Sequence, residues 1–180
     1  LSLDPAADVY FLIQASLVNL PWLTENLGAM RAQGSTFLTL AALPPEGRAT
    51  LASLNKRAVE VQGEMTRNLK RTTDANPEIA ALLSAKAAAM NDAVTKALAT
   101  ADRVLLTAAE INYPATDYFD EFTRTIDGLY DFNALAMKSV TDSLDERVDS
   151  LHRAQWLLIG LLVLGLGAAM MLSIAFVRSI

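Results

Sequence analysis

The sequence predicts an all-α protein: an antiparallel, up-down-up-down four-helix bundle whose fourth helix continues into a C-terminal transmembrane helix. First, apolar or small residues recur at alternating spacings of three and four, which is typical of helices packed at small crossing angles. Second, prolines divide this pattern into four long segments, and the short connections between them make neighbouring helices antiparallel. Third, an uncharged run of 24 residues, 154–177, lies near the C-terminus.

The first segment is predicted from about Asp4 to Leu40. Pro21 falls inside this periodic stretch, and because proline has no amide hydrogen we expect a kink or a local break there. The positions that face the other helices in this segment are Ile13, Ser16, Leu20, Leu23, Leu27, Met30, Gly34 and Phe37.

The second segment, from about Glu46 to Ala75, repeats the spacing, and the third runs from Pro77 to Asn112 and is rich in alanine. Asn76 before Pro77 fits an N-cap followed by the first helical position. The inward positions of the second segment are Leu51, Leu54, Ala58, Val61, Met65, Asn68 and Thr72; those of the third are Leu83, Met90, Val94, Ala101, Leu105 and Ala108.

The fourth segment begins at Thr116 or Asp117, where carboxylates in the first turns suit the helix dipole. Its inward positions are Phe119, Phe122, Ile126, Leu129, Asn133, Ala136 and Val140. The spacing then slips to Leu144, Val148 and Leu151, a stutter that should locally unwind the supercoil. Because no helix-breaking residue separates Asp149 from the apolar run, we expect the segment to continue into that run as one helix.

At about 1.5 Å per residue, a helix over the apolar run is roughly 36 Å long, enough to cross a hydrocarbon core of about 30 Å. A lone segment in lipid must be helical, because only a helix pairs all of its own backbone polar groups. Trp156 is expected at the headgroup boundary, with Arg153 and Arg178 at the two membrane interfaces. The predicted domains are a helical bundle at 1–153, a transmembrane helix at 154–177 and the start of a cytoplasmic linker at 178–180.

The composition excludes several function classes. The chain has 20 acidic and 15 basic residues, one histidine and no cysteine. An acidic balance argues against nucleic acid as a partner, because phosphate binding requires a basic face. Asp149 and His152 are too few for a di-iron site, and the absence of cysteine removes thiol chemistry. We therefore expect no cofactor, no metal ion and no enzymatic activity.

Five stretches carry a family resemblance: LDPAADVYFL at 3–12, NLPWLTENLGAMRAQG at 19–34, DYFDEFTRTIDGLYDF at 117–132, LDERVDSLHR at 144–153, and the terminal FVRSI. Together they resemble the extracytoplasmic four-helix-bundle sensor region of bacterial methyl-accepting chemotaxis receptors and related HAMP-linked transmembrane receptors. The last stretch looks like the start of a HAMP linker. The resemblance implies a homodimer, a small ligand bound between helices in the membrane-distal half, and a piston-like or tilting displacement of the fourth helix.

The same resemblance implies a location in the bacterial inner membrane, with residues 1–153 in the periplasm. Because residue 1 is Leu rather than Met, we expect a preceding membrane helix. The resemblance also implies that cytoplasmic signalling proteins bind a C-terminal part that is missing here. The same input module is found on sensor histidine kinases and diguanylate cyclases, which are alternatives to a chemoreceptor. A rival from another class is a tail-anchored cytosolic bundle that tethers partner proteins.

Candidate ligand residues lie near the membrane-distal tip. Within about 20 Å of the connections at 41–46 and 113–116 are Arg31, Arg48, Arg57, Arg103, Arg124, Tyr113, Tyr118 and Thr123. Of these we select Arg31, Thr123, Arg124 and Tyr118. Arg31 and Thr123 flank the inward positions, whereas Arg124 faces outward and needs a dimer partner to reach a pocket. A guanidinium fork favours an anionic or zwitterionic ligand, an organic acid or an amino acid, although arginines on a bundle flank are commonly solvated.

Overall fold

The computed structural model describes residues 7–178, all of them helical or in short connections, which confirms the all-α class. Asp4 and Pro5, the predicted start of the first helix, lie outside the described residues. The helices are α1 (Ala7–Ile13), α2 (Leu20–Thr39), α3 (Pro45–Ala75), α4 (Pro77–Ala101) and α5 (Ala115–Arg178), with π-helical stretches at Gln14–Asn19 and Asp102–Leu106. The first predicted segment thus comprises α1, a π-helical stretch and α2, and the fourth is α5.

The chain has no break at Pro21, where a kink or local break was expected; a π-helical stretch, Gln14–Asn19, ends two residues before the proline. Pro21 occupies one of the first positions of α2 and cannot donate a backbone hydrogen bond to the preceding turn. The wider turn directly before it is where the chain accommodates that missing donor.

Asn76 is the N-cap of α4, as predicted, because its Oδ1 accepts hydrogen bonds from the amides of Glu78 and Ile79 at 3.0 and 3.1 Å. A side-chain acceptor at this position satisfies amides that have no partner within the helix. The single residue between α3 and α4 therefore both ends one helix and begins the next.

The predicted end of the third segment at Asn112 is wrong. Regular helix stops at Ala101, and the π-helical stretch after it ends at Leu106. The amide of Thr107 bonds to the carbonyl of Asp102 at 2.8 Å, and the guanidinium of Arg48 donates to the carbonyls of Leu105 and Leu106. Those carbonyls are the acceptors that a continuing helix would need, so the arginine of α3 replaces the next turn.

The core follows the predicted inward positions in all four segments, with one clear exception at the start of α5. Phe119 is 43% exposed, whereas its neighbour Tyr118 is fully buried. The phenol ring fits there because Gly34 of α2 lies against it without a Cβ. The largest fully buried side chains are Tyr118, Phe122, Phe132, Leu12, Leu20, Leu23, Leu27, Met30, Leu51, Met65, Leu83 and Leu105.

The described residues form two compact units, one ending at Val140 and the other beginning at Thr141. The second unit consists of the later part of α5, in which Leu144, Val148 and Leu151 are 45–69% exposed. Helix α5 has no break between Asp149 and the apolar run, as expected. Within the described residues it is the one helix long and apolar enough to cross a membrane, and the apolar window is not buried by protein.

Candidate functional site

Two of the predicted ligand residues are in direct contact. Arg31 lies on α2 and Thr123 on α5, 92 positions apart in the chain, and Nη1 of Arg31 donates a hydrogen bond to Oγ1 of Thr123 at 3.0 Å. Both side chains are half-buried. The pair therefore lies at the boundary between two helices, and the guanidinium is partly exposed there.

The guanidinium of Arg31 also lies over the ring of Phe119, with its central carbon 4.9 Å from the ring centroid. This cation–π contact favours one orientation of the planar group over the exposed ring of Phe119. Within the part of the chain that the structure describes, Nε of Arg31 and Oγ of Ser35, one turn further along α2, are buried without a hydrogen-bond partner. Buried polar atoms normally have partners, so a ligand group would have to displace neighbouring side chains to reach these two.

Tyr118 lies in the core next to Arg31 and bonds to the backbone of the preceding residue, Met30. It is completely buried, its hydroxyl donates to the backbone carbonyl of Met30 at 3.1 Å, and its ring packs against Phe122 with centroids 4.5 Å apart. Burial raises the pKa of Tyr118 well above its ordinary range, and the negative charge of Glu121 adds to this effect. A neutral phenol therefore fixes the backbone next to Arg31, and direct contact between this hydroxyl and a ligand stays a prediction.

Glu121 is one of several acidic side chains at this end of α5, together with Asp117, Asp120 and Asp127. Glu121 of α5 is 14% exposed, and its Oε1 is 3.7 Å from Nζ of Lys96 on α4. Since Glu121 follows Tyr118 by one turn and precedes Thr123 by two residues, its charge shares one end of α5 with the arginine site. Lys96 partly balances that charge and connects α4 to α5.

The other selected residues are not brought to Arg31. Arg124 is exposed on α5, in agreement with its predicted outward position, and its use by a partner subunit stays a prediction. In the second unit Trp156 is 71% exposed, and Nε of Arg153 lies 3.4 Å from the carbonyl oxygen of Asp149. Arg178 is the last residue of α5, and its side chain lies outside the described residues.

Three further arginines from the distal set have structural contacts. Arg48 binds carbonyls at the end of the second π-helical stretch, as described above. Arg57 stacks on Trp22 with its guanidinium carbon 5.1 Å from the ring centroid, and Arg103 lies 5.6 Å from the centroid of Tyr113. These contacts leave Arg31 as the arginine with an adjacent hydroxyl from another helix.

Sequence reasoning missed Phe119 and Ser35 as parts of the site. The spacing of α5 admits either aromatic of the Tyr118–Phe119 pair at an inward position, so it assigned Phe119 to the core. Ser35 lies four residues after Arg31, a distance that places two side chains on the same helical face. That spacing was the available signal for Ser35.

Chemically, the arrangement suits an anion. A guanidinium presents its donors in a planar fork that matches a carboxylate, and the hydroxyls of Thr123 and Ser35 supply neutral donors. Phe119 lies against one face of the guanidinium and limits its access to water. Among residues 7–178, no group of three or more histidine, aspartate or glutamate side chains is placed to hold a metal ion.

No protein-family model matches the chain, and neither a curated protein nor a solved structure matches it. Function is therefore argued from the residues and contacts of the molecule.

Proposed function

We propose that the chain is the ligand-sensing input module of a transmembrane signalling receptor of the chemoreceptor type. The observation that supports this most directly is helix α5, Ala115–Arg178, in which one helix contains both core residues of the first unit and the apolar run. A ligand that prefers one arrangement of α5 in the first unit shifts the equilibrium between arrangements of the whole helix. In this proposal residues 1–153 lie in the periplasm and residues 154–177 cross the inner membrane.

The proposal includes an antiparallel up-down-up-down bundle, and several contacts support it. Successive residues of the first segment contact earlier and earlier residues of α3, as antiparallel helices do. Asn19 bonds to Asn68 at 2.9 Å, Trp22 stacks on Arg57, and Phe37 adjoins Gly47. The same descending order relates α2 to α5. Arg31 bonds to Thr123, while Pro21 shares a cleft with Asn133.

The proposed ligand is a small organic acid or amino acid whose carboxylate binds the fork of Arg31, with hydroxyls of Thr123 and Ser35 as further donors. A charged hydrogen bond of this kind contributes about 1.5–3 kcal/mol, enough to discriminate an anion from a neutral analogue. The site lies between α2 and α5, so ligand contacts with both helices would favour one position of α5 over another. A homodimer is proposed to add Arg124 of the second subunit.

The first test is a binding screen of the full chain in lipid nanodiscs. Calorimetric titration with acetate, succinate, malate, citrate and the proteinogenic amino acids is expected to identify a ligand. Arg31→Ala should weaken its binding by about tenfold or more, because a charged hydrogen bond is lost. Arg67→Ala removes an exposed arginine of α3 and is the matched control, with unchanged affinity. Unchanged affinity in Arg31→Ala would exclude this site, and no binding by any compound would reject the ligand class.

The second test separates a receptor from a cytosolic tether. The sequence has no cysteine, so one introduced cysteine is the sole thiol in the chain. Thr50 is exposed on α3, and Thr50→Cys should react with a membrane-impermeant maleimide in intact spheroplasts. Labelling only after lysis would place the bundle in the cytosol and favour the tail-anchored alternative. A chemoreceptor, a histidine kinase and a diguanylate cyclase are then distinguished by the output domain of the natural protein.

A further inference from the structure

A cleft of about 220 Å³ lies between α3 and α4, away from Arg31. Its volume is below the range of about 300–1,000 Å³ that is usual for drug-sized ligands, so it suits a smaller molecule. The residues around it are Thr66, Leu69, Lys70, Thr73, Ser84, Ala87, Ala88, Met90 and Asn91.

The alanine-rich sequence of α4 explains why space is left here. On one side of the cleft, the two helices are joined by polar side chains, since Nε2 of Gln62 donates to Oδ1 of Asn91 at 2.9 Å and lies 2.8 Å from Oγ1 of Thr95. Beyond this contact α4 presents Ala87 and Ala88, whose methyl groups do not fill the space opposite Leu69. The helices stay together while a gap remains between them.

The lining has two chemically distinct parts. Leu69, Met90 and the alanines form an apolar wall, and Leu69 and Met90 are themselves buried in the core. Lys70, Thr73 and Ser84 contribute an ammonium group and two hydroxyls. An apolar wall with a few polar groups is the usual composition of a small-molecule site, and here the charge is positive.

Lys70 has a partner that a ligand can replace. Its Nζ lies 2.9 Å from both carboxylate oxygens of Asp74, and the two side chains are 72% and 57% exposed. An ion pair at such exposure contributes little to stability, so the ammonium can turn towards another carboxylate at small cost. Asp74 does not line the cleft and therefore competes with a ligand without blocking it.

We propose that this cleft binds a short-chain aliphatic monocarboxylate, with the alkyl chain against Leu69 and Met90 and the carboxylate paired with Lys70. The hydroxyl of Ser84 lines the same cleft, and that of Thr73 donates to the backbone carbonyl of Lys70 at 3.0 Å. The site is separate from Arg31 and takes a ligand with an apolar tail, so it goes beyond the proposed function and stands or falls without it.

Methionine methyl groups provide a local test in the full chain in lipid nanodiscs. With ¹³C-methyl methionine, sodium hexanoate should shift the Met90 signal in a saturable way and leave Met30, buried against Tyr118, unchanged. Hexan-1-ol, of the same length without a charge, should bind at least several-fold more weakly. Equal binding of hexanol, or equal shifts at Met170 and Met171 in the apolar run, would show partition into lipid and overturn the proposal.

Substitutions at the cleft sharpen this test. Lys70→Gln should weaken hexanoate binding by about two- to fivefold, the range of an exposed ion pair, whereas Asp74→Asn should strengthen it about two- to threefold by freeing the ammonium. Ala88→Leu fills the cleft from an exposed helical position and should abolish the Met90 shift. Ala85→Leu is the matched control, since Ala85 is exposed on α4 outside the cleft. Unchanged binding in Lys70→Gln or Ala88→Leu would refute the site.

Discussion

The two ends of helix α5 use similar residues in opposite ways. Between Tyr118 and Val140 most apolar side chains are buried, Phe119 and Tyr130 being exposed, and Phe122, Leu129 and Phe132 have no exposed surface. In the apolar run, Leu161 and Leu164 are 73% and 74% exposed. The first stretch is covered by protein, and the second has no protein cover in the described part of the chain.

This difference is the one expected if the first stretch lies in a water-soluble bundle and the second, as proposed, in a membrane. A helix in water hides a stripe of apolar residues against protein and leaves its other faces polar. A helix that is apolar on every side and covered by no protein is stable only where the surroundings are apolar. The two stretches should therefore respond differently to substitution, because side chains are covered by protein in the first and by no protein in the described part of the second.

The largest effect is expected for Phe122→Ala. Removing a fully buried phenylalanine should lower the free energy of unfolding of the first unit by about 3–5 kcal/mol. Leu161→Ala should leave that free energy unchanged, since no described part of the chain covers its side chain. Trp22 fluorescence in a Trp156→Phe background measures unfolding of the first unit alone. Equal losses in both variants would mean that the apolar run packs on the first unit.

An introduced arginine should prevent membrane insertion when it lies within the apolar run, and should be tolerated when it lies before that run. Leu161→Arg should oppose membrane insertion by about 2.5–3.5 kcal/mol, because the guanidinium enters hydrocarbon. Leu144→Arg, at a position 45% exposed before the apolar run, should insert normally. Carbonate extraction of membranes compares the inserted fractions. If Leu161→Arg inserted as well as Leu144→Arg, the assignment of 154–177 to lipid would be wrong.

Two glycines of α2 sharpen the protein side of the comparison. A Cβ at Gly34 would lie 2.5 Å from the ring of Tyr118, so Gly34→Ala should destabilise the first unit by about 1–3 kcal/mol. Gly28 has no atom within 4 Å of the same position, so Gly28→Ala should stabilise it by up to about 1 kcal/mol through helix propensity. Chemical denaturation measures both. A stabilising Gly34→Ala would contradict the packing of Tyr118.

The smallest effect concerns pH. Tyr118→Phe removes the hydrogen bond to Met30 and should lower the free energy of unfolding by about 1 kcal/mol at pH 8. The pKa of Tyr118 is higher in the folded state than in the unfolded state. Its contribution to the free energy of unfolding is therefore fully present below about pH 10 and falls by up to about 1.4 kcal/mol per pH unit above it. The difference between the two proteins should therefore narrow in alkali. A constant difference from pH 8 to 11 would exclude a shifted Tyr118.

Much of the helical fold was predictable, because heptad spacing and proline positions are local signals. The choice between Tyr118 and Phe119 was not. Adjacent aromatics fit the same spacing, and the deciding factor is the missing side chain of Gly34, far away in the sequence. The early end of α4 could not be predicted either, because it depends on a contact with a residue distant in the sequence: Arg48 of α3 bonds to the carbonyls of Leu105 and Leu106. At the site, spacing placed Arg31 and Thr123 beside the inward positions, while their mutual contact and the stacking of Arg31 on Phe119 depended on tertiary packing.

The attachment of Arg48 to Leu105 and Leu106 has a practical consequence for labelling this protein. Since α3 itself secures the last carbonyls before residues 107–114, the conformation of α4 does not depend on the length of the connection that follows. Doubling a loop adds only about 0.6 kcal/mol to the entropy of closing it. A reporter peptide or fluorescent domain inserted between Ala109 and Glu110, both exposed, should therefore leave the helices assembled.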